Sequence, residues 1–228
     1  ILVEYQGRQV VVTVAHASIE PDVVINRLSM PKTEEYLAIF RNKYNISSNA
    51  TGSSSNGNSY RKKYIVGIDR IERMCGLPIK LLAYRTFLEA NPQWVGRCVL
   101  IQYGLRCPER GDDYVDTKKR INEEISKINL AATGISDGGD NPAIIYHEVD
   151  RVNVYERTAL FKIGDIFLNT CVRQGLDLMP LEYCAIRVKK KNVQCGILAI
   201  SEFASASRIL PGAVVFNPFE ADGVAQII

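Results

Sequence analysis

The sequence predicts an α/β protein built on a doubly wound parallel sheet. Short apolar runs rich in Val and Ile recur along the chain, and helical stretches separate them. Strands of a parallel sheet are buried on both faces and read as continuous apolar runs, while helices cover both faces. With 228 residues the chain is long enough for one such Rossmann-like domain. In this fold, ligands bind in the crevice at the carboxyl ends of the strands.

The individual elements follow from the same patterns. The strands are predicted at 10–14, 64–68, 98–101, 143–146, 166–168, 196–200 and 213–216. The helices are predicted at 21–44, 77–90, 113–130, 155–161 and 179–188, with a last helix from Phe219. Pro31 interrupts or restarts the first helix, because proline removes a backbone donor. In the second helix Leu81, Tyr84 and Leu88 recur on one face, and Pro78 suits the first turn.

One stretch does not fit the alternation. Residues 45–60 are rich in Ser, Asn, Gly and Thr and cannot contribute a core, so we expect a flexible insertion there. It carries two N-x-S/T sequons, at Asn45 and Asn49, which have no consequence in a cytosolic protein. Residues 136–141 form a second polar segment, a Gly/Asp loop too short for an EF-hand.

Composition excludes several classes of function. A net charge of +3 and two short basic runs without aromatic residues argue against nucleic-acid binding. Six cysteines without a C-x-x-C pair and only two histidines, His16 and His147, argue against a metal site. Cys98, Cys171, Cys184 and Cys195 lie in apolar runs, which suggests reduced core cysteines and a cytoplasmic location. No apolar run reaches the roughly 18 residues that a membrane span needs.

The chain begins without methionine and ends in an apolar segment. We therefore expect it to be part of a longer protein.

Three loops after predicted strands are candidates for chemistry. The first, 67–76, places Arg70 and glycines where backbone N–H groups and a guanidinium can hold phosphate, although an exposed surface loop has the same composition. The second, 171–182, has Gly175 before a helix whose first N–H groups, of Leu178 and Met179, face outward. Glu182 in that helix either accepts hydrogen bonds from ribose hydroxyls or only complements the helix dipole.

The third loop, 201–207, is small and polar and is either part of a site or a tight connection. The chain has neither a G-x-G-x-x-G motif nor a P-loop motif, so NAD binding and P-loop hydrolysis are poorly supported. The two histidines have no nucleophile nearby in sequence and are predicted to be structural.

Ordered segments at these loops resemble the trehalose-6-phosphate synthase family of retaining glycosyltransferases. The segments that carry the resemblance are Y-Q-G-R-Q-V (5–10), G-I-D-R-I-E-R-M-C-G-L-P (67–78), L-E-A-N-P-Q-W-V-G (88–96), R-Q-G-L-D-L-M-P-L-E-Y (173–183), S-E-F-A-S-A (201–206) and V-F-N-P-F (215–219). The resemblance covers nearly the whole chain outside 45–60. It implies a two-domain GT-B fold in which the C-terminal domain binds UDP-glucose and the N-terminal domain binds glucose 6-phosphate.

The resemblance implies one domain over 1–228, the nucleotide-sugar-binding half, with the acceptor-binding N-terminal domain absent. Its partners would be UDP-glucose and that missing domain, and no metal is expected. Arg70 falls at the family's diphosphate-binding arginine, and Gly175 and Glu182 are retained. The backbone donors of Leu178 and Met179 do not depend on side-chain identity.

Other family positions have changed. The lysine that neutralises the leaving diphosphate falls at Cys75, and the sugar-contacting aspartate falls at Gln174. The following asparagine falls at Asp177, which adds a negative charge if it faces the phosphates. A lost charge of this kind costs about 3–4 kcal/mol in the transition state.

These departures leave no confident catalytic residue and predict an impaired enzyme or pseudoenzyme, inactive as this chain alone. Arg73 or Arg106 could supply a substitute cation. Three alternatives stay open: an active but divergent enzyme, a non-catalytic regulatory or scaffold subunit in a complex with other trehalose-synthesis proteins, and another nucleotide-sugar transferase with the same fold.

Overall fold

The computed structural model describes residues 2–13, 17–44, 46, 62–133, 142–187 and 195–228. Within these ranges the chain forms a six-stranded parallel sheet with helices on both faces, as the sequence predicts. The sheet strands are β3 (Lys63–Arg70), β4 (Cys98–Leu105), β5 (Ile144–Val149), β6 (Ile166–Asn169), β7 (Ile197–Ser201) and β8 (Val214–Phe216). The predicted insertion at 45–60 lies outside the described residues except for Ile46, as does the loop at 136–141.

The order of the strands fixes where a ligand crevice lies. Across the sheet they run β5-β4-β3-β6-β7-β8. Counted in chain order within the sheet, this is 3-2-1-4-5-6, the order of Rossmann-like folds. The chain passes outward from β3 on one side, returns to the middle, and leaves through β6 on the other side. The carboxyl ends of β3 and β6 therefore flank the switch point.

Helices from the predicted stretches cover the two faces. One face packs against α1 (Pro21–Arg27), α2 (Pro31–Tyr44), α5 (Val154–Ile163) and α6 (Met179–Arg187), and the other against α3 (Leu77–Ala90), α4 (Asp112–Thr133) and α7 (Ala221–Ile227). The break at Pro31 and the proline in the first turn of α3 are confirmed. Leu81, Tyr84 and Leu88 are buried, which confirms the predicted inner face of α3.

The central strands supply the core. Ile65 and Val66 on β3, Leu100 and Ile101 on β4 and Leu168 on β6 are fully buried. Because each strand carries side chains to both faces, neighbouring residues on one strand enter the two separate apolar clusters under the helices. Burying such side chains contributes about 1.5–3 kcal/mol each before the entropy of folding is counted.

The amino-terminal strand differs from its prediction. The structure has a separate hairpin of β1 (Leu2–Tyr5) and β2 (Arg8–Val11), outside the main sheet. The strand predicted at 10–14 thus begins earlier and ends at Val11, and 14–16 lie outside the described residues. Gln6 and Gly7 both have positive φ, as the tight turn of a two-residue hairpin requires. The last helix begins at Ala221, two residues after its predicted start.

Candidate functional site

The two loops at the switch point pack directly against each other. Thr170, after β6, donates a hydrogen bond from Oγ1 to the carbonyl oxygen of Gly76, 3.1 Å away. The N–H of Val172 donates to the carbonyl of Met74 at 2.9 Å. Gly76 has φ +68°, and a Cβ there would lie 2.0 Å from the carbonyl oxygen of Thr170. Glycine is therefore needed at this position both for its conformation and for the close approach.

The third predicted loop joins the other two through Gln174. Gln174 forms an isolated parallel bridge with Ala204, and its carbonyl accepts a hydrogen bond from the Ser205 N–H at 3.2 Å. The structure therefore brings all three predicted loops to one edge of the sheet.

A cavity of about 450 Å³ opens beside this crevice. Three predicted donor-binding residues line it: Leu178, Met179 and Glu182. The rest of its wall is formed by Ile68, Leu105, Asp150, Arg151, Val152, Arg157, Leu176 and Asp177. A larger surface depression, of about 630 Å³, is lined by α4 alone and contains none of the predicted residues. We therefore take the crevice cavity as the candidate site, since folds of this class bind ligands at this edge.

Glu182 is already paired within the chain. Its carboxylate accepts two hydrogen bonds from Arg157, one from Nε at 2.7 Å and one from a terminal nitrogen at 3.0 Å. A terminal nitrogen of Arg27 lies 3.5 Å from the same carboxylate. Only 11% of the Glu182 side chain is exposed. The carboxylate that the sequence assigns to ribose is thus held by two arginines.

The amino terminus of α6 is also partly occupied. The N–H of Met179 donates to Oδ1 of Asp177 at 3.0 Å, so the Asp177 side chain already satisfies this predicted phosphate donor. The structure shows no such partner for the N–H of Leu178 among the described residues. Burial raises the pKa of Asp177 above its ordinary value. Beside it, a Cβ added at Gly175 would meet open space, which leaves room for a ligand.

Arg70 ends β3 at the same edge of the sheet, with its side chain 44% exposed. Its Nε donates to the sulfur of Cys107 at 3.1 Å, and a terminal nitrogen donates to Glu109 at 2.9 Å. The hydrogen bond to Cys107 is the main reason that the pKa of Arg70 is raised. The guanidinium is available to an anion that displaces Glu109, because that ion pair is exposed.

Cys75 supplies no positive charge to the crevice. Its sulfur lies 3.5 Å from Oε1 of Glu72, to which it donates. Burial, followed by the nearby carboxylates of Asp69 and Glu72, raises the pKa of the Cys75 thiol far above its ordinary value, so it stays neutral. The positive charge next to Glu72 comes from Arg110, whose Nε lies 2.9 Å from Oε2 of Glu72.

The side-chain amide of Gln174 contacts two residues that lie close to it in sequence. Its Oε1 accepts from Nδ2 of Asn169 at 2.9 Å, and its Nε2 donates to Oδ2 of Asp177 at 3.1 Å. The amide therefore bridges the end of β6 and the start of α6.

A buried polar cluster supports the crevice from below. Lys80 on α3 is fully buried, and its ammonium donates to Asp69 on β3 and, at 3.2 Å, to Oε1 of Gln102 on β4. Nε2 of Gln102 donates to Asp69 at 2.8 Å. Each member of the cluster thus has a partner, as buried charges require.

Comparison with known proteins assigns this chain to a family. The family model for glycosyltransferase family 20 matches residues 2–228. The chain belongs to glycosyltransferase family 20.

Curated relatives of this glycosyltransferase family 20 chain are trehalose-phosphate synthases. The α,α-trehalose-phosphate synthase (UDP-forming) of Botryotinia fuckeliana is 30% identical over 226 residues, which are 99% of this chain and 39% of that protein. The corresponding enzyme 2 of Aspergillus fumigatus is 30% identical over 98% of this chain and 42% of that protein. The chain therefore spans about two fifths of the length of these relatives.

Solved structures confirm the predicted fold class. The N-terminal domain of Candida albicans trehalose-6-phosphate phosphatase matches 99% of this chain and 43% of that chain, with a TM-score of 0.75 and 25% identity. The trehalose-phosphate synthase of Burkholderia xenovorans in complex with glucose 6-phosphate matches 99% of this chain and 45% of that chain, with a TM-score of 0.76. Its identity of 20% supports the fold alone.

Arg73 and Arg106, predicted from the sequence as possible substitute cations, do not line the cavity. Nε of Arg106 pairs with Asp150 at 2.7 Å, and Nε of Arg73 lies 3.6 Å from Asp113. The arginines on the cavity wall are Arg151 and Arg157.

Sequence reasoning missed both wall arginines because it considered no loop after β5. A signal for Arg157 existed. It precedes the buried Leu160 and Phe161 by three and four residues, so the apolar face of α5 begins with a charge.

The cysteines and histidines only partly follow the predictions. All six cysteines are free; Cys98 and Cys171 are buried, but Cys184 is only partly buried. The prediction of a core position was wrong for Cys195, which is exposed.

His147 packs among aromatic residues and makes a 3.0 Å hydrogen bond to the hydroxyl of Tyr44. This is a structural position, whereas His16 lies outside the described residues.

Two findings concern metals and membranes. Within the described residues, no three His, Cys, Asp or Glu side chains are grouped so that they could hold a metal ion. In the same ranges, no helix has both the length and the apolar composition needed to cross a membrane. The expectation of a metal-free site and the cytoplasmic location stay predictions.

Proposed function

We propose that this chain is the donor-binding domain of a trehalose-phosphate synthase-like protein and binds UDP or UDP-glucose in the crevice. The observation that carries the proposal is the cavity at the switch point, whose wall contains Leu178, Met179 and Glu182. Arg70 ends β3 at the same edge and Gly175 leaves room at the start of α6. The family 20 relatives are named as UDP-forming synthases, which supports the choice of nucleotide.

The domain organisation is part of the same proposal. Residues 1–228 would be the C-terminal, nucleotide-sugar-binding half, with 45–60 as an insertion. The acceptor-binding half would lie in a part of the protein outside these residues, which fits the share of the relatives that the chain spans. Transfer of glucose to glucose 6-phosphate would need both halves.

We expect weak donor binding and impaired transfer. Cys75 is neutral where the family resemblance places a cation, and Gln174 is held by Asn169 and Asp177. A diphosphate would therefore meet Arg70 and the amino terminus of α6. There the N–H of Met179 already donates to Asp177. Glu182 would reach ribose only by sharing or losing its arginines.

Calorimetric titration of the chain with UDP and UDP-glucose tests the proposal. We expect saturable binding, with an affinity that falls about tenfold or more in Arg70→Ala, because a charge-assisted contact to phosphate is lost. Arg120→Ala is the matched control, since Arg120 is an exposed arginine on α4 that does not line the cavity. No binding at millimolar nucleotide, or equal losses in the two variants, would reject donor binding by this crevice.

A non-catalytic regulatory or scaffold subunit is the second candidate. The observations that favour it are the neutral Cys75 and the internal pairing of Glu182. A similar fold also forms the N-terminal domain of a protein named as a phosphatase. Trehalose 6-phosphate synthesis by the whole protein, abolished by Arg70→Ala, would contradict this candidate. A whole protein that folds and makes no product would support it.

A further inference from the structure

The contact between Arg157 and Glu182 involves the carboxylate that the proposed function assigns to ribose. Both side chains line the cavity, and they are joined by two hydrogen bonds of 2.7 and 3.0 Å. A guanidinium that binds both oxygens of a carboxylate is the strongest common ion-pair geometry. The side chains are 24% and 11% exposed, so water screens the pair only in part.

The position of Arg157 in its helix directs it to this contact. Leu160 and Phe161, three and four residues later, are fully buried on the same face of α5. The guanidinium is therefore held against the crevice and does not extend into solvent. Glu182 comes from α6, the helix that begins at the switch point. The pair thus ties α5 to α6 at the wall of the cavity.

This contact competes with a ribose for the same acceptor atoms. A carboxylate can bind a ribose by accepting hydrogen bonds from its two vicinal hydroxyls. Here each oxygen already accepts from a guanidinium, a stronger donor than a neutral hydroxyl, and Arg27 lies 3.5 Å from Oε1. Each oxygen keeps a second lone pair, but only 11% of the side chain is exposed, so little room remains for a ribose hydroxyl beside the arginines. A ribose therefore gains little from Glu182 unless Arg157 moves.

We infer that Arg157 is a specificity-determining residue of the nucleotide site, which suppresses recognition of the ribose hydroxyls by occupying Glu182. The inference rests on the proposed binding of a uridine nucleotide. It assigns the site a particular ligand preference: the cavity accepts a nucleoside diphosphate but does not distinguish ribose from 2′-deoxyribose. Weakening the Arg157 contact restores the distinction.

The test compares the dissociation constants of UDP and 2′-deoxy-UDP by calorimetric titration. In the unchanged chain we expect the two constants to agree within about threefold. In Arg157→Lys and Arg157→Leu we expect UDP to bind about tenfold tighter than 2′-deoxy-UDP, which is about 1.4 kcal/mol and corresponds to one hydrogen bond to a charged group. Arg120→Leu, on the exposed surface of α4, should keep the ratio of the unchanged chain.

Two variants are used because Arg157→Leu removes a partner of a largely buried carboxylate. Arg27 remains near Glu182 in both variants, and Arg157→Lys also keeps a positive charge. A lysine ammonium is a point charge and cannot donate to both oxygens in the paired geometry of a guanidinium, so one oxygen loses its Arg157 donor. Thermal unfolding identifies the folded variants, and Arg157→Lys decides the question if Arg157→Leu does not fold.

The outcomes separate this inference from the proposed function. A tenfold preference for UDP in the unchanged chain, or equal shifts for both nucleotides in the variants, would overturn the role of Arg157 while leaving donor binding in place. If neither nucleotide binds the folded chain or its folded variants at millimolar concentration, both the inference and the proposed function fail. A preference that appears only in the Arg157 variants supports both.

Discussion

The ion pair beneath the crevice permits a quantitative prediction about what supports the site. Lys80 is fully buried, and its ammonium binds Asp69 and Gln102. Without Lys80, the carboxylate of Asp69 would keep from this cluster the amide of Gln102, whose Nε2 lies 2.8 Å away. Removing one member of a buried pair costs about 3–5 kcal/mol, because the remaining charge stays desolvated. We therefore expect Lys80→Met to lose that much free energy of unfolding.

Urea unfolding followed by circular dichroism measures this loss. Thermal unfolding gives a second measurement. For a chain of this size, each kcal/mol of unfolding free energy corresponds to about 2–4 °C, so the melting temperature should fall by about 6–20 °C. Lys127→Met is the matched control, because Lys127 is 56% exposed and pairs with Glu124 on the surface of α4. An exposed pair contributes about 0–1 kcal/mol, so the control should change little.

The double variant Lys80→Met, Asp69→Asn distinguishes an unpaired charge from a packing defect. Removing both charges should restore part of the stability, because no buried charge then lacks a partner. A difference between Lys80→Met and Lys127→Met of less than about 1 kcal/mol would refute the reasoning.

Three further predictions concern the fold and the crevice. Gly76→Ala should cost about 2–4 kcal/mol of unfolding free energy in urea, because its Cβ would lie 2.0 Å from Thr170 O at a positive φ. Burial lowers the pKa of His147 to about 4 from 6.5. The unfolded chain therefore takes up a proton first, and stability that is complete above pH 6.5 falls by about 1–2 kcal/mol between pH 7 and pH 5. Cys75→Lys should raise UDP affinity about tenfold in calorimetric titration, by restoring a cation.

Each of these predictions has a control. Gly212→Ala should be nearly neutral, because a Cβ there meets nothing within 4 Å. His147→Gln should flatten the change in urea midpoint between pH 7 and pH 5, and an unchanged slope would show that other groups titrate. Cys195→Lys places the same charge at an exposed cysteine outside the cavity wall, so an equal gain in affinity there would contradict a specific role for position 75.

The elements were predictable because their signals are local. An apolar run identifies a buried strand, and the spacing of Leu81, Tyr84 and Leu88 identifies the inner face of a helix. The predicted strands β3 and β4 were too short at their carboxyl ends, where Asp69 and Gln102 continue the ladder. Backbone hydrogen bonds do not depend on side-chain polarity, and these polar groups satisfy one another with Lys80. A polar residue inside a strand is therefore compatible with burial when a distant helix supplies its partner.

The meeting of the three candidate loops was predictable from the sequence, but the pairing of their charged residues was not. The rule for crevices placed three loops together, and the structure confirms that Gln174 joins them. The partners of the charged residues come from other elements: Glu109 follows β4, and Arg157 lies on α5. Such pairs depend on side-chain reach across the fold, which residue spacing does not encode. The apolar-face position of Arg157 was the one local signal.

The free-energy cost of breaking these ion pairs to admit a nucleotide differs between the phosphate end and the ribose end of the crevice. Arg70 and Glu109 are 44% and 62% exposed, so exchanging Glu109 for a phosphate costs about 0–1 kcal/mol. Glu182 is 11% exposed and accepts two hydrogen bonds from Arg157, so exchanging Arg157 for ribose hydroxyls costs more. Glu109→Gln should therefore raise the affinity for UDP only about two- to fivefold, measured by calorimetric titration. A gain of about tenfold or more would mean that the phosphate end, not the ribose end, limits nucleotide binding.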